Sequence, residues 1–317
     1  MVIRKSLGKW PHVLFFILAI IPVVMLLLII MNLILNSRLA LSTLGLGGLF
    51  STHISGVFTT GGNQFGIIPA IWGTFLVVVV SMGIAVPVSL AIAIFASEFT
   101  LGFLGKGMRV ILGILGGIPS IVYALMSVVF AQLFIIPKFC GAGYTGQFPP
   151  WLKVGGLPYS PSTLLGGIML SMMIIPFLAP LFDDAIRDVP HSLREASLAL
   201  GAGRWHTLTH VTLPNALSGL VSASSLGALM AMGDVVIVGM VIGFESPLPN
   251  PLFDILKSTA PLTSTAAGFS GGFSQGAFNP LGNSAANFAG LVLLLMAFAI
   301  LALVSIIQTR FKRRFSQ

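Results

Sequence analysis

The sequence predicts an all-α integral membrane protein with six transmembrane helices, and three observations carry that expectation. Hydrophobic residues make up 56% of the 317, whereas charged residues make up only 8%. Long apolar stretches recur along the chain, and the basic residues sit in short clusters between them. A soluble domain carries about 25% charged residues, so water cannot be the solvent for most of this surface.

The first element follows Arg4, Lys5 and Lys9 and runs from about Val13 to Leu35. That charge order is shared with signal peptides. The run exceeds the roughly 7–15 residues of a signal core and no small-residue cleavage site follows it, so it reads as a retained span. Crossing the hydrocarbon takes about 20 mostly apolar residues. Stretches at approximately 12–35, 68–98, 107–137, 161–187, 214–243 and 286–309 qualify. Backbone groups in lipid must be paired internally, which makes these helices, and the alternation of barrel strands is absent. A single transmembrane domain over 1–317 is expected, with one substantial loop at 188–213.

Loop charges set the orientation. Arg4, Lys5, Lys9, Lys106, Arg109, Arg187, Arg194, Arg204, Arg310, Lys312, Arg313 and Arg314 fall on one side, which is 12 of the 16 Lys and Arg. The other side holds Arg38, Lys138, Lys153 and Lys257. The positive-inside rule makes the richer side cytoplasmic and puts both termini there. The net charge of +8 is thus accounted for by topology, and with no aromatic-basic interleaving it does not indicate nucleic acid. Cys140 is the only cysteine, which excludes an internal disulfide and a Cys-rich metal site. The outer loops (36–67, 138–160, 244–285) are nearly uncharged and rich in Gly, Ser, Thr, Asn and Pro, and are expected to form caps or short re-entrant turns.

Several spans contain helix breakers: Gly83 and Pro87 in the second, Gly116-Gly117-Ile118-Pro119 before Ser120 in the third, and Pro176 and Pro180 in the fourth. An interior proline removes a hydrogen bond, and in a membrane it persists where protein or a wet cavity re-satisfies the backbone. Three interrupted spans point to a gated pathway, with Pro119, Ser120 and Pro176 as candidates. Gly113 and Gly117 form a G-x-x-x-G pair, a signal for close helix packing.

The loop after the fourth span reads Val189-Pro190-His191-Ser192-Leu193-Arg194-Glu195-Ala196-Ser197-Leu198-Ala199-Leu200-Gly201-Ala202-Gly203-Arg204-Trp205 and reaches Thr212-Leu213-Pro214. Ser192 and Glu195 have capping-box spacing for a helix whose apolar face is Leu193, Ala196 and Leu200. Gly201 and Gly203 end that helix. A second short helix, Arg204 to Val211, precedes Pro214 at the start of span five. An amphipathic pair of this size is suited to docking in another protein's groove.

These residues resemble the EAA loop of bacterial ABC importer permeases, here Glu195-Ala196, Gly201 and Val211-Thr212-Leu213-Pro214. The resemblance implies a type I (MetI-like) permease architecture and an ATPase-coupling role for Glu195, Ala196, Gly201, Leu213 and Pro214. It also implies an inner-membrane complex with an ATP-binding cassette dimer, a second permease subunit (paralogue or copy) and an extracytoplasmic substrate-binding protein, embedded in lipid. Gly117-Ile118-Pro119-Ser120-Ile121-Val122-Tyr123, Met173-Ile174-Ile175-Pro176-Phe177 and Leu193-to-Gly201 are similar to permeases of the phosphate-specific transport (Pst) system, nearer its C-type subunit. The departures concern charge. Where that family carries Arg-x-x-Gly-Glu in span five, this chain has Met230-Ala231-Met232-Gly233-Asp234, and Asp183 stands where an Arg follows the span-four Ile-Pro. A phosphate dianion needs positive partners in a low-dielectric pathway. Either the partner permease supplies them, or the solute is neutral or cationic.

Asp234 is the one acid well inside an expected span, and buried membrane carboxylates are costly and functional. With Met230 and Asp183 it completes the pathway candidates. Asp183 and Asp184 lie near the cytoplasmic end of span four, where pairing with Arg competes with a gating role. Glu98 is expected to snorkel at the inner end of span two. His206 and His210 share a helix face but lack a third metal ligand, so no metal or cofactor is expected. No G-x-x-x-x-G-K-[ST] phosphate loop is present, which assigns ATP hydrolysis to a partner. A proton-coupled carrier built on Asp234 is the alternative from another class, and a protruding docking helix argues against it.

Overall fold

A computed structural model describes residues 10–52, 54–55, 64–99, 102–130, 162–244, 248–249, 251–255, 257–270 and 280–315. Its centre is built from spans two, four and five. Span two is α3 (Ile68–Ile94), closed by a π-helical turn at Phe95–Phe99. Span four is α6 (Thr163–Arg187) and span five is α9 (Leu213–Gly233) followed by α10 (Val236–Val241). Val77, Leu170, Ile174, Phe182, Leu220 and Ile237 belong to one buried cluster between them. Lipid tails are as apolar as these side chains, so close packing and hydrogen bonds must hold the helices together. Gly167 shows how: a Cβ there would collide with Val80 of α3.

Span one, α1 (Trp10–Asn36), lies at the edge against α12 (Pro280–Phe315), and none of its most apolar window is buried. α2 (Arg38–Leu49) then turns back, kinked at Gly45 with φ 64°, and is pinned by Ser284 Oγ, which accepts from Ala40 N–H at 2.8 Å. The expectation of an all-helical chain has one small exception. A two-residue antiparallel ladder pairs β1 (Ile54–Ser55) with β2 (Gln64–Phe65).

The expected interruption of span three is present, and two other expectations about the spans are corrected. α4 (Gly102–Gly116) and α5 (Ser120–Phe130) meet at an 85° bend, and residues 131–137 lie outside the described residues. Pro119 cannot donate to the ladder, and the Leu115 carbonyl instead accepts from Ile118 N–H at 3.2 Å and Tyr123 Oη–H at 3.0 Å. Spans two and four, by contrast, stay continuous through Pro87 and through Pro176 and Pro180. Span five is the other interrupted one, and its break comes at Asp234. Gly113 meets nothing within 4 Å, so among the described residues the G-x-x-x-G pair is not a helix contact.

At the end remote from the 188–213 loop, residues 251–255 and 257–262 fold back over the bundle. Their carbonyls cap α6: Thr163 N–H donates to Lys257 O at 3.1 Å and Leu164 N–H to Ile255 O at 2.8 Å. Ser162 Oγ takes the Leu165 N–H, so three of the donors that a helix start leaves open are paired. The same segment lies on span two, where a Cβ at Gly73 would come within 2.7 Å of Thr259 O. Leu262 N–H, at the start of α11 (Leu262–Phe269), donates to Thr74 Oγ1 at 2.9 Å.

Candidate coupling surface and pathway residues

The loop after span four forms α7 (His191–Ala199) and α8 (Arg204–Thr207). The expected capping box is absent. The helix starts two residues earlier, at His191, with Pro190 at the N-cap and no side-chain cap bond, so Ser192 already lies in the first turn. Its exit is well defined. Gly201 takes φ 85°, Gly201 N–H donates to Leu198 O at 3.0 Å, and Ala202 N–H donates to Ser197 O at 3.2 Å. This is the paired-bond Schellman exit, which a left-handed glycine completes without a Cβ penalty.

The expected second short helix runs on into span five. α8 continues through a π-helical turn, Leu208–Thr212, directly into α9. Pro214 explains the wider turn, because its ring clashes with the carbonyl of His210 four residues back and it offers no N–H. Asn215 Nδ2 donates to the Val211 carbonyl at 2.6 Å. Leu213 and Pro214 are half-buried where this run enters the bundle.

No residue of α7 is buried. Glu195 and Ala196 point to solvent, Leu200 is 89% exposed and Trp205 66%. Leu193, Ala196, Leu200, Gly201, His206 and Val211 line an open cleft of about 650 Å³. Ser197 and Thr207 share a hydroxyl hydrogen bond of 2.9 Å that holds the two short helices at one angle. His206 and His210 stack at 4.1 Å. Outside the bilayer, an apolar cleft with a ridge beside it is a surface for protein contact.

Two ion-pair clusters lie beneath this loop; pairing of Asp183 with Arg was among the expected roles of that residue, whereas the link of Glu98 to the loop was not. Asp183 is 2% exposed, and its two oxygens accept from Arg109 Nε and Arg187 Nε, each at 2.8 Å. Its carboxylate is thus held between spans three and four. Arg194 of α7 pairs with Glu98 at 2.6 Å, on the π-helical turn of span two, and also donates to the Ile186 carbonyl. Glu98 is therefore part of a cross-link as well as lying at a helix end. The i, i+4 spacing of Asp183 and Arg187 was readable in the sequence; the partners 74 and 96 residues apart were not.

Asp234 sits where α9 stops, in extended conformation (φ −74°, ψ 113°), and its Oδ1 accepts the Ile237 N–H at 2.7 Å. It caps α10. The helical run from Arg204 to Gly233 spans 30 residues, about 45 Å, so Asp234 lies toward the end remote from the coupling loop. Met230, one turn earlier, is half-buried against the core. Pro119 is exposed at the bend, Ser120 is half-buried beside it, and Pro176 is buried in α6, with its backbone within 4 Å of where a Gly116 Cβ would stand. The structure does not bring these into one cluster with Asp183, which is tied up at the opposite rim.

Among the described residues five helices are long and apolar enough to cross a membrane, six if the bent pair of span three counts as one, and the class of the protein, a membrane transport subunit and not an enzyme, follows from its family. Residues 85–317 match the family described as binding-protein-dependent transport system inner membrane component, and the chain belongs to that family. It is a permease subunit of an ABC importer, a multi-pass inner-membrane protein of the Pst type, and such permeases work with an ATPase and a substrate-binding protein. The alternative of a carrier working without an ATPase falls with that assignment. Among its relatives, the probable ABC transporter permease protein YqgH of Bacillus subtilis is 34% identical over 85% of this chain and 84% of its own length. The phosphate transport system permease protein PstC of Haemophilus influenzae is 31% identical over 88% of this chain and 87% of its own. The fold is shared with a bacterial alginate ABC transporter, with a TM-score of 0.61, 16% identity, and coverage of 95% of this chain and 96% of that one. It is also shared with the MetNI methionine ABC transporter, at 0.57 and 18%, over 77% and 95%.

Proposed function

We propose that this chain forms half of the translocation pathway of an importer for phosphate or a related anion, paired with a second permease subunit. In this reading an ATP-binding cassette dimer docks on the cleft of α7 and α8, with Glu195, Ala196, Gly201, Leu213 and Pro214 forming or supporting the contact. An extracytoplasmic binding protein delivers solute to the other face, and lipid covers α1. The observation that carries the docking assignment is a short helix with no buried residue, ending in an apolar ridge that water alone would not favour. The similarity to PstC proteins over most of both chains supports the anion.

A second reading, a neutral or cationic solute, is favoured by Met230 and Asp234, which leave this half of the pathway without a cation in span five. Uptake of inorganic phosphate by the reconstituted complex decides between them. Saturable, ATP-dependent uptake supports the anion, and its absence alongside intact ATP hydrolysis supports the second reading. Docking is tested by Glu195→Lys and Gly201→Asp. The first reverses an exposed charge without touching the fold, and the second places a side chain at φ 85°. Both are expected to insert normally and to lose co-purification with the ATPase subunit. Undiminished co-purification with normal uptake refutes the docking site.

A further inference from the structure

We infer that Arg194 and Glu98 are a positioning pair that converts movement of the coupling loop into movement of span two; this rests on the reading of α7 and α8 as the ATPase dock. α7 buries nothing, so hydrophobic packing does not locate it relative to the bundle. Arg194 does, as one of only two half-buried residues on that helix; the other, Ser197, bonds within the loop. Its guanidinium bonds Glu98 at 2.6 Å and the Ile186 carbonyl, with side-chain exposures of 13% for Arg194 and 25% for Glu98. A partly buried, charge-assisted pair resists shear better than a solvated one.

Glu98 is not on a regular helix. It lies on the π-helical turn Phe95–Phe99, a geometry that frees a carbonyl and permits a local shift of register. Arg187 reaches the same turn, with Nη2 donating to Ala96 O at 3.5 Å. Arg187 also bonds Asp183, which bonds Arg109. One charged network therefore joins the coupling helix to spans two, four and three in that order. Beyond the turn, α3 is an unbroken helix of 27 residues. At its far end Gly73 and Thr74 lie under the 259–262 segment. A displacement entering at Glu98 thus travels along one rigid element to the opposite rim, and rigid secondary elements are among the carriers of coupling between distant sites.

The test uses the complete complex in proteoliposomes, in a Cys140→Ser background, with spin labels at Leu27→Cys and Val79→Cys. Both positions are exposed, and α1 serves as the reference for α3. Trapping with ATP and vanadate is expected to shift the label distance in the otherwise unaltered complex. Glu98→Gln and Arg194→Gln are expected to keep ATPase co-purification and hydrolysis within about twofold while losing at least half of that shift. The exchanged pair Glu98→Arg with Arg194→Glu is expected to restore it, an outcome that a merely structural role does not give. A full shift in both single variants, or no restoration in the exchanged pair, overturns the inference. A complex in which the unaltered chain itself fails to co-purify with the ATPase refutes the docking reading first and removes the basis for the pair.

Discussion

Replacing Asp234 by asparagine and by alanine separates two uses of one carboxyl group. Oδ1 accepts the Ile237 N–H at 2.7 Å where α9 has ended and α10 begins. Asparagine offers the same oxygen and ranks with aspartate as an N-cap, so Asp234→Asn is expected to stay within about 0.5 kcal/mol of the parent. Alanine removes the acceptor. Cap losses run from about 0.5 to 2 kcal/mol, and the upper end applies here because lipid cannot hydrate the freed N–H. A loss of about 2 kcal/mol is a roughly 30-fold rise in the unfolded fraction. The assay is detergent-to-SDS titration of helicity, and alanine proving as stable as asparagine refutes the capping argument. Uptake reports the other use. If the charge serves the pathway, as the reading with a neutral or cationic solute holds, Asp234→Asn lowers uptake at least about tenfold at unchanged stability, a change of about 1.4 kcal/mol. Parent-level uptake in that variant leaves Asp234 as a cap alone.

Three further outcomes are expected. Asp183→Asn removes a carboxylate shared by two arginines that are 39% and 45% exposed; their solvation limits the loss to about 1–2 kcal/mol, and a double-mutant cycle with Arg109→Gln should show at least about 0.5 kcal/mol of coupling. Additive losses in that cycle would show that the Asp183–Arg109 pair adds nothing. Gly167→Leu places a side chain against Val80, so it should cost about 1–3 kcal/mol or abolish folding, whereas the same change at Gly113, where a Cβ meets nothing within 4 Å among the described residues, should be tolerated. With Cys140 replaced by Ser, a cysteine at Ser197 should react only with a reagent on the cytoplasmic side and one at Ser270 only from outside; labelling of Ser197 from outside reverses the topology.

The positions of the apolar stretches were legible because lipid imposes one requirement, about 20 apolar residues with paired backbone, that composition alone can display. The loop was legible for a different reason: Gly201 marks a helix exit through local backbone geometry, and the structure shows both of its closing bonds. The capping box was misread because Ser192 and Glu195 have the right spacing one residue into a helix that Pro190 opens. The breaks were harder still. Proline at 87, 176 and 180 looked as disruptive as at 119, yet only the last coincides with a sharp bend. Position 119 follows two glycines, Gly116 and Gly117, and Tyr123 supplies a hydroxyl to a carbonyl at the bend.

By itself, then, the chain's order of residues settled the solvent it folds in, the helical class and the place of the exposed loop proposed to meet a partner, since each depends on contacts within a few turns. Tertiary structure alone decided what the charges do. Asp183 reads in sequence as an acid where Pst-type permeases carry Arg, with pairing to some arginine among its expected roles, and only the fold shows that it anchors Arg109 and Arg187 together. Arg194 reads as an ordinary loop cation, and it ties α7 to span two through a residue 96 positions away. Electrostatic partners across a bundle are set by which helix ends share a rim, and no local pattern in the sequence records that proximity.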